Sequence, residues 1–211
     1  MPNTVYVLNS TQTLRPYLTE GLECFISESV RDIEDLLIEF PGTVVSAPKS
    51  LNDDELKTYL FATGAEKITQ IKDGKRTSQP LVERYLALYP YNHALNGRLA
   101  LFKQTHKKKY LRDMTLCDYI VPAKITGGQN IVYGIAQHKL LENQMLYLAF
   151  SDLEEYDTWA SQKPGWSPIK MSFSAIKRIC KDKVGIMLNP SGNRLIMSRD
   201  MLLQVSEGQK T

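Results

Sequence analysis

Three cysteines, Cys24, Cys117 and Cys180, and three histidines, His93, His106 and His138, are the residues that could supply a nucleophile and its base. A cysteine nucleophile needs a base within hydrogen-bond reach and a third group that orients the base. The sequence gives no reason to expect that arrangement. Cys24 and Cys180 fall on inward positions, Cys117 lies just before a strand, His93 and His106 flank a helix, and His138 ends a strand near a turn. The cysteines are odd in number, widely spaced and without a CxxC, which argues against a disulfide framework or a zinc site. Reduced thiols serving as small hydrophobes are the expectation, with no catalytic residues, no cofactor and no metal.

Carboxylates are the next candidates. "LYLAFSDLEEYDTW" (146–159) packs four acids behind an apolar run. Ser151 stands three residues before Glu154, the capping-box spacing. Asp152, Glu154 and Glu155 then occupy a first helical turn, where the helix dipole favours negative charge. Leu153, Tyr156 and Ala160 recur at helical spacing and form the inward face. These acids have structural employment. Glu28, Asp32, Asp35 and Glu39 lie at spacings of four, three and four, which predicts an acidic stripe on one helix face. A solvated outer face is the usual reason for such a stripe; a docking surface for a basic partner and a weak divalent-cation patch are the functional readings. "KQTHKKKYLR" (103–112) could track a phosphate backbone with Tyr110 available for stacking, but a helix end also collects cations. With a net charge of only +3 and no nucleic-acid-binding motif, nucleic acid is not the expected partner. "NPSGN" (189–193) reads as a tight turn whose backbone N–H groups could also form an anion nest.

The elements that would position these groups follow from periodicity. Gln144–Phe150 is apolar at nearly every position, as in an interior strand. "PIKMS", the helix "FSAIKRICKD" with Phe173, Ile176, Ile179 and Cys180 inward, the strand "VGIMLN", the turn and "RLIM" follow. An earlier stretch repeats this order. "ECFIS" ends in Ser27 as "YLAFS" ends in Ser151, a helix follows with Val30, Ile33, Leu37 and Phe40 apolar, and "TVVS" matches "PIKMS" in position. "SLNDDELKTYLFATG" is a helix with Ser50, Asn52, Asp53 and Asp54 competing to start it and Gly64 as its stop, and "EKITQIKDGK" is a strand and turn. These are either two copies of one small unit or two α/β segments built alike. Between them "PLVERYLALY" and "ALNGRLALFKQTHKK" read as helices. "DYIVPAKI" and "NIVYGIAQHK" read as strands joined through Gly127 and Gly128, and "LLEN" as a turn.

"YIVPAKI", "LYLAFSDLEEYDTW" and "GIMLNPSGNRLIM", in this order and approximate spacing, resemble the SseB N-terminal-domain family over about residues 78–205. The resemblance implies a bacterial cytosolic α/β module with a mixed sheet. It brings no catalytic residue set, and Pro122, Phe150, Trp159, Asn189 and Pro190 have structural reasons to stand where they do.

The expected fold class is therefore α/β (α+β), a mixed sheet flanked by helices. The expected organisation is an N-terminal unit at 1–76, an SseB-like domain at 77–205 and a disordered tail at 206–211. No signal peptide and no apolar run of about 20 residues is found, so a cytoplasmic setting without a membrane is expected. Function is expected to be non-enzymatic binding of another protein, with homo-oligomerisation through an open sheet edge compatible with it. The alternative is a small-molecule-binding or enzymatic module with a pocket between the two α/β units. Partner contacts are expected at Glu28, Asp32, Asp35, Glu39 and Trp166; Trp166, beside "KPG", is the aromatic expected to be exposed, and Trp159 should be core.

Overall fold

The structure is a computed structural model, and it describes residues 3–46, 49–81, 92–126, 130–138, 144–180 and 185–207. The chain divides into two compact units, residues 1–110 and 111–211. Parallel and antiparallel strands share each unit with helices, which makes the fold α+β with mixed sheets, as the sequence leads one to expect.

The first unit contains β1 (Asn3–Ser10), β2 (Glu23–Ser27), α1 (Val30–Glu34), α2 (Leu36–Glu39), β3 (Thr43–Val45) and β4 (Lys49–Leu51). It continues with α3 (Asp53–Ala62), β5 (Lys67–Lys72), β6 (Lys75–Pro80), α4 (His93–Thr105) and the start of α5 (Lys108–Met114). Its sheet runs β3–β1–β2–β5–β6 with β4 also on β1, and β2–β5 is its parallel pair. Of the competing start signals for α3, Asn52 prevails. Its side chain accepts from the Glu55 N–H at 2.8 Å while its own N–H donates to the Glu55 carboxylate at 3.0 Å, a complete capping box. The helix ends at Gly64, whose φ of +98° favours glycine. There α4 comes so close that a Cβ on Gly64 would land on the backbone of Gly97.

Alternation along the strands gives the sheet two apolar faces. Val7, Cys24, Ile26 and Ile68 pack with Leu60, Phe61, Ala100, Leu101 and Tyr110, while Leu8, Phe25 and Ile71 pack with Ile33 and Leu36. Each fully buried aliphatic side chain contributes about 1.5–3 kcal/mol. The helix expected over residues 28–40 is broken at Asp35, so its inward side is Ile33 and Leu36. Val30 and Leu37, expected inside, are exposed.

The second unit contains β7 (Asp118–Thr126), β8 (Asn130–Tyr133), β9 (Ile135–His138), β10 (Gln144–Ala149) and α6 (Leu153–Ala160). β11 (Ser167–Ser172), α7 (Phe173–Cys180), β12 (Gly185–Leu188), β13 (Leu195–Met197) and α8 (Arg199–Glu207) complete it. One sheet is β13–β12–β10–β9 and another β11–β7–β8, joined by a bridge between Ile120 and Phe150. Phe150, Tyr156, Trp159, Leu146 and Leu148 form its aromatic-rich core, and Trp159 is buried as expected.

The repeated grammar has a structural counterpart. In each unit a central parallel pair, β2–β5 or β10–β12, is extended by an antiparallel strand, β6 or β13. Val7 faces Ile26 and Leu8 faces Val45 in the first unit, and Ile120 faces Phe150 and Val121 faces Ile169 in the second. Ser27 and Ser151, and Val45 and Ile169, thus stand in matching places at one constant separation along the chain. One difference interrupts the match. Residues 11–22 join β1 to β2 without a strand, whereas the equivalent connection from β7 to β10 carries β8 and β9. Most of "PLVERYLALY", the Gly127–Gly128 joint, the "LLEN" turn and residues 208–211 lie outside the described residues.

Candidate interaction surface

The acids behind β10 are used by the fold. The helix cap falls one residue later than the capping box predicts. Asp152 is the N-cap of α6 and accepts from the Glu155 N–H at 3.0 Å. Ser151 is held from across the sheet, its N–H donating to Asn189 Oδ1 at 2.8 Å while Asn189 Nδ2 donates to Ser151 Oγ at 3.0 Å. Ser151 Oγ donates in turn to Asp152 Oδ2 at 3.0 Å. All three residues are buried, so the strand-to-helix passage and the "NPSGN" turn are locked to one another. Along the helix Tyr156 and Trp159 are buried, and Leu153 and Ala160 are half-buried. The nest reading of the turn meets an internal occupant. Asn193 N–H donates to Glu155 Oε1 at 3.4 Å, and a Cβ on Gly192 would collide with that same carboxylate. The chain's own Glu155 takes the place an external anion would need.

The four acids of the stripe are spread over two short helices and their start rather than one continuous helix. Glu28 precedes the Ser29 cap of α1, and Asp35 sits at the break between α1 and α2. Asp32 accepts from the Asp73 N–H at 3.1 Å, closing the β5–β6 turn as Glu155 closes the turn after β12. Glu39 pairs with Arg76, whose hydrogen bonds hold its carboxyl below the usual carboxylate range. Trp166 is half-buried. Its ring lies at 6.1 Å from Trp159 in an edge-on arrangement, and its carbonyl accepts from the Tyr156 hydroxyl at 2.9 Å.

The thiols and imidazoles are similarly occupied. Burial pushes the Cys24 thiol far up and the Cys180 thiol up to about 11, so neither is a thiolate at neutral pH. Cys117 is half-buried and directs its thiol at the Asp113 carbonyl. His93 is buried against Phe61 with ring centroids 4.4 Å apart, and its Nε2 lies 3.0 Å from the Ala65 carbonyl. Burial lowers its pKa. His106 is the left-handed cap of α4, with φ of 53°. In the basic run Lys107 and Lys109 both bind Glu20, and Tyr110 is buried in the first unit's core, where no base could stack on it. Among the described residues no group of three or more His, Cys, Asp or Glu is arranged to hold a metal ion, and no helix is long and apolar enough to cross a membrane. Leu111, Thr115, Phe173, Met197, Met201, Leu202 and Val205 line a crevice too tight to admit a water molecule, so it is no ligand pocket.

Among the described residues, several exposed aliphatic side chains lie on the arm formed by β7, β8 and β9. On the inner face of β7, Tyr119, Val121 and Ala123 are buried, but Ile125, next in the same row, is 76% exposed. Ile125 faces Ile131 across the strand pair, and Ile131 is 51% exposed. Val132, on the other face of β8, and Ile135 and Met145, on β9 and the neighbouring β10, are exposed as well. Isolated exposed aliphatics are ordinary; a cluster on one sheet edge marks an interaction surface.

Among the described residues no strand pairs with the free side of this edge. β8 ends one sheet and β9 ends the other, so residues 130–138 form the margin of both. This stretch, "NIVYGIAQH", contains no Asp, Glu, Lys, Arg or Pro. The other margins carry the usual safeguards against strand addition: Lys75, Arg76 and Pro80 in β6, Pro168 and Lys170 in β11, Lys49 in β4, and a length of three residues in β3 and β13. Periodicity predicts the strands of this arm but carries no sign of their exposure, because alternation looks the same on a margin and in the middle of a sheet. No protein-family model, no curated protein and no solved structure matches this chain.

Proposed function

We propose that the chain is a protein-interaction module that adds a strand from a protein partner to the β8–β9 margin. One observation carries the reading: an uncharged, aliphatic sheet edge lies on an arm that the first unit, built to the same plan, does without. Strand addition would satisfy the outward backbone groups by hydrogen bonding, and Ile125, Ile131 and Ile135 would select aliphatic side chains at alternate positions. The likeness of "YIVPAKI", "LYLAFSDLEEYDTW" and "GIMLNPSGNRLIM" to the SseB N-terminal-domain family belongs to the same proposal, and with it a bacterial, cytosolic setting.

Selection of a displayed library of random peptides on the purified chain tests the reading. The expected winners alternate aliphatic residues, protect the amides of Ile131 and Tyr133 from hydrogen exchange, and lose binding to an Ile131→Lys variant. Winners that bind that variant unchanged, or an absence of any winner on a monomeric chain, would remove the arm as a docking surface.

A further inference from the structure

The direction of the backbone groups on β8 narrows the partner. Gly134 donates its N–H to the Pro122 carbonyl at 2.8 Å, and its carbonyl accepts from Leu148 N–H at 2.9 Å, so both its polar groups point inward. Backbone groups alternate in direction along an antiparallel strand. Val132 and Asn130 therefore bond inward to Lys124 and Thr126 of β7, and Ile131 and Tyr133 point their N–H and C=O groups to the open side. Among the described residues no strand pairs with that side.

We propose that the occupant of this margin is β8 of a second copy of the chain, paired antiparallel about a two-fold axis at Val132; this rests on the reading of the arm as a docking surface. In a two-fold strand pair both strands keep the same face, so opposed residue numbers must have equal parity. With the axis at Val132, Ile131 lies opposite Tyr133 of the second copy and Tyr133 opposite its Ile131. Both are residues with outward-pointing backbone groups, so each pair exchanges two hydrogen bonds and all four bonds fall within described residues.

The side chains fit the same register. Ile131 against tyrosine is a β-branched and aromatic pair, the kind that stabilises neighbouring strands. It extends the Ile125–Ile131 row across the interface, and Val132 meets Val132 on the other face. Because residues 130–138 carry no formal charge, self-pairing brings no like charges together, whereas β6, with Lys75 and Arg76, would oppose its own cations.

The test uses the full chain in analytical ultracentrifugation over a wide concentration range, with Ile131→Pro and Val132→Cys as variants. Proline at 131 removes an N–H that β7 does not use, so it deletes two of the four intermolecular bonds and leaves the unit folded. Tryptophan fluorescence verifies the folding. The expected results are a wild-type dimer, dissociation about 100-fold easier for Ile131→Pro, and, for Val132→Cys, an intermolecular disulfide between the two introduced thiols on oxidation, since residues opposed at the axis sit within its reach. A wild-type chain that stays monomeric at millimolar concentration overturns the self-pairing. If peptides still bind the arm in that case, the docking reading survives without it. A dimer indifferent to both variants overturns the self-pairing as well, and peptide selection then decides whether the arm docks anything else.

Discussion

Replacing Asn189 by alanine should loosen the second unit more than any surface change. Asn189 is fully buried, holds φ at 50°, and supplies both an acceptor to Ser151 N–H and a donor to Ser151 Oγ. Its loss leaves the buried Ser151 N–H without an acceptor, at about 1–3 kcal/mol, and removes a second hydrogen bond worth about 0.5–1.5 kcal/mol. Alanine also pays about 1 kcal/mol or more for a left-handed backbone that asparagine tolerates better. The sum is about 3–5 kcal/mol, a large part of the 5–15 kcal/mol typical of a whole domain.

Both tryptophans, Trp159 and Trp166, lie in the second unit, so urea unfolding followed by tryptophan fluorescence reads this unit directly. At a typical slope of about 2 kcal/mol per molar urea the midpoint should fall by about 2 M. Asn189→Gly separates the contributions, because it loses the same hydrogen bonds without the backbone strain, and it should recover about 1 kcal/mol. A loss below about 1 kcal/mol for Asn189→Ala would refute the claim that the Ser151–Asn189 pair locks strand to helix. A glycine variant no better than alanine would refute the backbone argument.

Gly64→Ala should destabilise the first unit by about 3 kcal/mol, from a left-handed backbone and a clash with Gly97 that α4 must move to relieve, and amide exchange in α3 and α4 should report it. A thiol reagent should modify Cys117 first and Cys24 last in the folded chain, the order set by burial; equal rates would contradict the buried positions. Burial holds His93 below its unfolded pKa of about 6.5, so its contribution is complete above that pH and is lost as pH falls from there toward the folded value, where only the unfolded chain takes the proton. Urea midpoints followed by circular dichroism should therefore drop below pH 6.5, less so in His93→Gln. Arg76→Ala should change stability by less than about 0.5 kcal/mol, since the Glu39 pair is solvent-exposed, and added salt should erase the difference.

Features decided within a few residues were legible in the chain alone. The Asn52–Glu55 box and the Gly64 stop bound α3, the "NPSGN" turn returns the chain after β12, and the doubled order of elements shows in matching registers. These follow from local backbone chemistry and from which side of an element is apolar. The single helix expected beneath the acidic stripe is divided at Asp35, and Asp32 and Glu39 are bound by Asp73 and Arg76, residues distant in sequence. The cap on α6 moved by one residue for a similar reason: Asn189, from the neighbouring strand's end, takes the Ser151 N–H that a local capping box would have used. Ile131 and Val132 read as strand residues in any environment. Only the sheet order places their strand at a margin, and only the pairing with β7 turns the backbone of Ile131 outward, since hydrogen-bond direction belongs to two strands together and is not encoded in either one.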